Sequence, residues 1–303
     1  MMKNVIALVV TFNRKDFLAK VLTSLVNQSY PLREIIIVDN NSNDGTFLLV
    51  DEFIKSSHSN IAISYFNTGD NLGGAGGFSY GFDVVKSKIY DYLWLMDDDL
   101  SPEVTCLENL LLTGNEGITQ PVRYNLDGSC AEISPVIYDL SNPFLMNPKL
   151  STVKDYLEGS ENNHSFEIAG VPFEGPLISH RLIDIVGKPD ERFFIFNDDL
   201  DFSIRAKSAG FKIICEPKAK AIRLLVNHQK NDLKSWKGYF MLRNHFFILS
   251  THGESFLVRS RPLFLALGYF CLSIIRGDIK AATMCFNAYI DSFSLKNNDK
   301  YRP

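Results

Sequence analysis

The residues best equipped for chemistry in this chain are two clusters of carboxylates. In residues 92–100, YLWLMDDDL, an apolar run ends at once in Asp97, Asp98 and Asp99. In residues 193–202, FFIFNDDLDF, another apolar run meets Asn197, Asp198, Asp199 and Asp201. Three adjacent carboxylates repel one another, and a hard divalent cation such as Mg2+ or Mn2+, which prefers oxygen ligands, compensates them. In an extended chain Asp97 and Asp99 point one way and Asp98 the other. The plainer reading is an acidic helix start, with Pro102 in its first turn and Glu103 favourable to the dipole. On the triplet alone both readings stand. In the second cluster a helix start makes Asp198 and Asp201 face similarly while Asp199 points elsewhere. Such residues either cap a helix or supply a general base, a carboxylate placed to take a proton from an attacking hydroxyl in an inverting group transfer.

These side chains need a frame. Residues 5–10 form a β-branched, uncharged run typical of a central parallel strand, and residues 11–14 break it before the helical pattern Leu18, Val21, Leu22, Leu25. Residues 34–38, EIIIV, read as a second strand ending at Asp39. A turn follows over 40–45, where Ser42 or Asp44 can cap a helix through Val50 and Phe53. Residues 61–66 read as a third strand. Strand and helix alternation predicts an α/β fold with a mostly parallel wound sheet, whose strand ends gather residues 11–14, Asp39 and the segment after Phe66 into one crevice. Asp39 either caps its turn or accepts hydrogen bonds from a nucleoside base or ribose.

Residues 71–77, NLGGAGG, place four glycines within five positions. They are not expected inside a helix; they predict either close backbone approach to a ligand or tight packing of a helix beneath the sheet. No Gly-Lys-Ser/Thr follows, which excludes a Walker loop, and the position after the third strand excludes the dinucleotide fingerprint.

Farther on the pattern loosens. Residues 114–160 read as loops and small strands, 182–186 as a short helix ended by Gly187, and 212–215 and 219–225 as two strands leading to His228. A lone histidine is a surface or packed residue as readily as a ligand. Residues 236–250, WKGYFMLRNHFFILS, read as an amphipathic helix interrupted by Tyr239, Arg243 and Asn244. A buried arginine without a partner is costly, so Arg243 is expected to pair with an acid or a phosphate.

At 303 residues and 46% hydrophobic content the chain can bury a sizeable core, and a net charge of −4 argues against a nonspecific nucleic-acid binder. Five cysteines without a CxxC pair suggest neither a disulfide framework nor a zinc site, and fit a reduced cytoplasmic compartment. Residues 1–10 lack a small-residue cleavage site and read as a first strand, not a signal peptide. The apolar run 262–275, flanked by Arg259, Arg261, Arg276 and Lys280, reads either as a buried helix or as a surface resting on anionic lipid.

Together, VTFNR, IIIVDNNSNDGT, NLGGAGGF, WLMDDD, FNDDLDFSIRAKSAGF, a later histidine and YFMLRN resemble the family 2 inverting glycosyltransferases of the GT-A fold, from about residue 5 to about residue 250. The NxGGAGG form is most similar to the galactofuranosyltransferases, with rhamnosyltransferases close behind. The resemblance implies a Rossmann-like sheet with flanking helices over 1–250 and a helical extension over 251–303. It implies that Asp97 and Asp99 contact the metal, Mn2+ or Mg2+, with His228 as a further ligand. It also implies that Thr11, Asn13, Arg14, Asp39, Asn71 and Asp98 hold the donor nucleotide, that Asp199 is the catalytic base, and that Trp94, Asp198 and Asp201 meet the acceptor. Two positions depart from the family: Asp201 stands where Glu is usual, and Asn197 where galactofuranosyltransferases often carry Trp.

The implied reaction is transfer of a sugar, galactofuranose from UDP-galactofuranose or else rhamnose from dTDP-rhamnose, to a lipid-linked glycan of a bacterial surface polysaccharide. A dication that neutralises the departing diphosphate and a base that activates the acceptor hydroxyl satisfy the same chemistry. A nucleotidyltransferase would carry a basic glycine-rich loop at the first strand, which VTFNR lacks; a binding module would not need two acid clusters. The extension is expected to shape the acceptor site, pair two copies, or bring a cytoplasmic protein to the inner face of the membrane.

Overall fold

A computed structural model describes residues 2–56, 60–145, 147–159, 164–225 and 235–302. Its first half alternates strand and helix: β1 Val5–Thr11, α1 Lys15–Val26, β2 Glu34–Asp39, α2 Thr46–Ser56, β3 Ala62–Asn67, α3 Gly73–Val85 and β4 Tyr92–Asp97. β5 Leu100–Pro102, α4 Cys106–Leu112 and β6 Ile118–Asn125 follow. A small hairpin, β7 Pro135–Tyr138 with β8 Lys149–Thr152, leads to α5 Val153–Glu158, β9 Phe166–Glu167, β10 Leu177–Ser179 and α6 His180–Val186. The chain continues through α7 Asp198–Ser208, β11 Ile213–Arg223, α8 Lys237–His252, α9 Phe256–Ile275 and α10 Ile279–Ser292.

The main sheet runs β3-β2-β1-β4-β10-β6-β11-β5, with β9 also on β11. β1, β2, β3 and β4 are mutually parallel, as are β6 and β11; β10 lies antiparallel between β4 and β6. Every residue of β1 is buried, as expected for a strand covered on both faces. Alternation divides it: Ile6, Leu8 and Val10 pack with Phe78 and Phe82 of α3. Val5, Ala7 and Val9 pack with Leu18, Val21, Leu22 and Leu25 of α1. Winding outward from β1 in both directions leaves the ends of β1 and β4 side by side, the switch point where open α/β sheets bind ligands.

Two expectations are corrected and a third is made specific. The glycines of 73–77 lie in the first turns of α3, against the expectation that they avoid a helix. The reason is the packing foreseen as the other option: a Cβ at Gly77 would sit 2.5 Å from Val10 Cγ1, so only glycine lets α3 press onto β1. Residues 118–125, within the stretch read as loops and small strands, form the eight-residue, mostly buried strand β6 of the main sheet. The two strands expected at 212–215 and 219–225 are one strand, β11, whose register shifts between Glu216 and Lys220 around Pro217.

The last three helices pack on one another and on the segment before α7. All five cysteines are free. α9 is not the buried helix offered as one option: 22% of its most apolar 18-residue window is buried.

Candidate functional site

The two acid clusters share one cleft of about 770 Å3 at the strand ends, lined by Asp97, Asp98 and Asp99 on one side and by Asp198 and Asp199 on another. β4 delivers the first cluster and the start of α7 the second.

The triplet is divided by its neighbours. Asp98 accepts from Thr11 Oγ1 at 2.8 Å, from the Phe12 N–H at 3.3 Å and from Arg14 Nη1 at 3.1 Å. Arg14 Nη1 also reaches Asp99 Oδ2 at 3.3 Å. Burial, opposed by Arg14 and Thr11, leaves the Asp98 carboxyl raised. Burial alone would lower the Arg14 guanidinium, but Asp98 and Asp99 outweigh it and raise it. Asp99 is pushed up to about 6 by burial and then by Glu174 and Asp98. Burial also holds Asp97 well above the usual carboxylate range, with Glu174, Asp99 and Asp98 adding repulsion. Arg14 therefore compensates part of a charge that further positive charge would complete.

The carboxylate oxygens of Asp97 and Asp99 are of the chemical type that a hard divalent cation takes. Among the described residues no group of three or more His, Cys, Asp or Glu side chains forms a ready metal cage. His228 lies outside the described residues.

Asp199 Oδ1 accepts from the Leu200 N–H at 2.7 Å. Its carboxyl is raised to about 6 by burial, with Glu174 adding repulsion and Arg123 offsetting it. Burial and the neighbouring Asp199 hold Asp198 well above the usual range. Buried carboxyls poised near neutrality suit proton transfer.

Of the remaining expected residues, Thr11, Arg14 and Asn71 line the cleft. Asn71 Oδ1 accepts from the Gly73 N–H at 3.0 Å. Asn13, with φ 53°, pins the 40–45 turn by accepting from the Asn43 N–H at 2.8 Å. Asp39 is fully buried and accepts from the Ser42 N–H and the Tyr65 hydroxyl. Neither Asn13 nor Asp39 is among the cleft-lining residues.

Two residues expected to meet the acceptor, Trp94 and Asp201, are not among the cleft-lining residues. Trp94 is 0% exposed and donates from Nε1 to the Gly175 carbonyl at 2.8 Å, inside the core layer shared with α1. Asp201 is absent from the cleft lining because Arg205 Nε at 2.8 Å and His252 Nε2 at 2.7 Å hold its carboxylate. Arg243, expected to meet an acid or a phosphate, instead donates to backbone carbonyls and to the side-chain oxygens of Asn244 and Asn297.

Sequence reasoning missed the groups between the clusters. Arg123 pairs with Glu132 at 2.7 Å and with Glu174, and Arg223 lies 3.2 Å from Glu174. Glu174 acts on both clusters, raising Asp97, Asp99 and Asp199 alike. Its one signal was an acid within the Pro172 to Pro176 turn, VPFEGP. Arg123 and Glu132 sit in the stretch where no periodicity was visible.

A wound α/β sheet with acids gathered at its switch point places them where open α/β folds bind their ligands. Residues 6–146 match the family model for Glycosyl transferase family 2, and the chain carries a domain of that family: it is a glycosyltransferase. It is 28% identical over 297 residues to the galactofuranosyltransferase GlfT1 of Mycobacterium tuberculosis strain H37Rv, covering 92% of each chain. It is also 28% identical over 216 residues to GlfT1 of Mycolicibacterium smegmatis, covering 68% of this chain and 66% of that relative. The mannosyltransferase PcManGT of Pyrobaculum calidifontis, solved with GDP-Man and Mn2+, superposes with a TM-score of 0.59 at 15% identity, over 98% of this chain and 89% of that one. The fold is GT-A.

Proposed function

We propose that this glycosyltransferase moves galactofuranose from UDP-galactofuranose, with inversion, to a hydroxyl of a lipid-linked glycan, and that it needs Mn2+ or Mg2+. One observation carries the reading: Asp199 lines the same cleft as Asp97 and Asp99. The likeness to GlfT1 over 92% of the chain supports the sugar.

In this reading Asp97 and Asp99 would hold the dication, which would supply positive charge against the departing diphosphate. Thr11, Arg14, Asn71 and Asp98 surround the nucleotide side of the cleft, with Asn13 and Asp39 shaping the turn behind them. Asp199 takes the proton of the acceptor hydroxyl as its oxygen bonds to the anomeric carbon. The bond from that carbon to the diphosphate breaks on the opposite face, so the configuration inverts. Asp198 borders the acceptor. The exposed apolar face of α9, with Arg259, Arg276 and Lys280 exposed beside it and no acid within the helix, rests on anionic lipid at the inner membrane face.

The test is UDP release on mixing the protein, Mn2+, UDP-galactofuranose and a lipid-linked glycan, with dTDP-rhamnose in a parallel arm. Release from UDP-galactofuranose alone is expected. Turnover confined to dTDP-rhamnose overturns the sugar, and turnover of neither overturns the reaction.

A further inference from the structure

The backbone that leads into α7 is bent in a way that most residues resist. Phe194, Phe196 and Asn197 have φ of 64°, 65° and 65°. These are three non-glycine residues with positive φ within four positions, directly ahead of Asp198 and Asp199. Bulky side chains are disfavoured there, and such a run persists only where its surroundings over-determine it.

α8 provides those surroundings. Asn244 Nδ2 lies 3.2, 2.6 and 2.8 Å from the carbonyls of Phe193, Ile195 and Phe196. Arg243 Nη2 donates to the carbonyls of Arg192 and Phe193, each at 2.9 Å. Arg243 Nε donates to Asn244 Oδ1 at 2.8 Å, which fixes the amide so that its N–H groups face those carbonyls. Both side chains are 0% exposed. The remaining carbonyl, of Phe194, accepts from the Ala75 N–H of α3 at 3.0 Å. Every carbonyl from 192 to 196 is thus held.

A buried guanidinium without a directly bonded carboxylate is an expensive way to gain stability. What it gains here is a fixed backbone shape. We propose that Arg243 and Asn244 are positioning residues: they hold segment 193–197 in its positive-φ run and so set where Asp198 and Asp199 enter the cleft. Their catalytic consequence rests on the reading of Asp199 as the base.

The test compares the wild type with Asn244→Asp, which keeps the volume and the acceptor for Arg243 but loses the amide donors, and with Asn244→Ala. Misplacing a base should lower kcat about 100-fold while donor KM and UDP affinity with Mn2+ stay within about threefold. Amide exchange over 193–201 should quicken about tenfold with β1 unchanged. Retained kcat, unchanged exchange over 193–201, or loosening spread evenly through the sheet overturns the proposal. Should the wild type transfer nothing from UDP-galactofuranose, the functional reading falls, while the exchange comparison still decides whether α8 holds the segment.

Discussion

Asp199 combines two properties that pull against each other. Its carboxyl is raised from 3.8 to about 6, chiefly by burial, so between those values the folded chain holds more protons than the unfolded one. Stability then falls as pH rises through that window. The same ionisation is what a base requires, so transfer should be lost as pH drops below about 6 and level off above it. A pH profile of kcat/KM flat down to pH 5 would contradict this. Asp199→Asn should cut transfer about 1,000-fold with UDP binding intact, while raising stability on the order of 1 kcal/mol at pH 8, read by denaturant titration. Asp99→Ala should instead weaken UDP binding in Mn2+ about tenfold, near 1.4 kcal/mol, without changing it in EDTA; equal affinity in Mn2+ would remove Asp99 from the metal. Both acid clusters were legible in the sequence because each ends an apolar run. Glu174, Arg123 and Glu132 were not, because isolated charges in irregular stretches carry no pattern until the fold brings them together.

At the scale of elements, α3 is where sequence logic and structure diverge most usefully. Glycine lowers helix propensity, which argues against a helix over 73–77. Contact with the sheet overrides that preference, because the glycine face is what fits against Val10 and Leu8. Gly77→Ala should therefore destabilise the protein by about 1–3 kcal/mol through overpacking, whereas a rise in melting temperature would show that the sheet yields. The strands β1 and β2 were legible from runs rich in Val and Ile, and β3 from the largely apolar stretch 61–66. β6 was hidden by Pro121 and Arg123, which dilute its apolar pattern even though the strand is mostly buried. β11 was read as two pieces because Pro217 interrupts it, yet pairing with β6 resumes beyond the irregularity.

Across the whole molecule the unmatched feature is α9. Phe264 and Leu267 are 66% and 53% exposed, part of an apolar surface that a water-facing helix does not need. Vesicles containing anionic lipid should sediment the protein, less so at high salt. The double variant Phe264→Glu, Leu267→Glu should reduce partitioning at least about tenfold, since each side chain contributes about 1.5–3 kcal/mol when buried. Wild-type protein that stays in the supernatant would dismiss lipid as the covering. Composition placed this helix but not its exposure, which depends on how α8 and α10 use its other face.

Arg243 draws two of its acceptors, Lys296 O and Asn297 Oδ1, from beyond α10. On the ribosome, the sheet and both acid clusters are translated well before those acceptors emerge. A nascent or truncated chain can thus hold the sheet and every acid of the cleft yet lack part of what fixes Arg243, so removal of residues 296–303 should loosen the segment ahead of Asp198 and Asp199, about a hundred positions upstream.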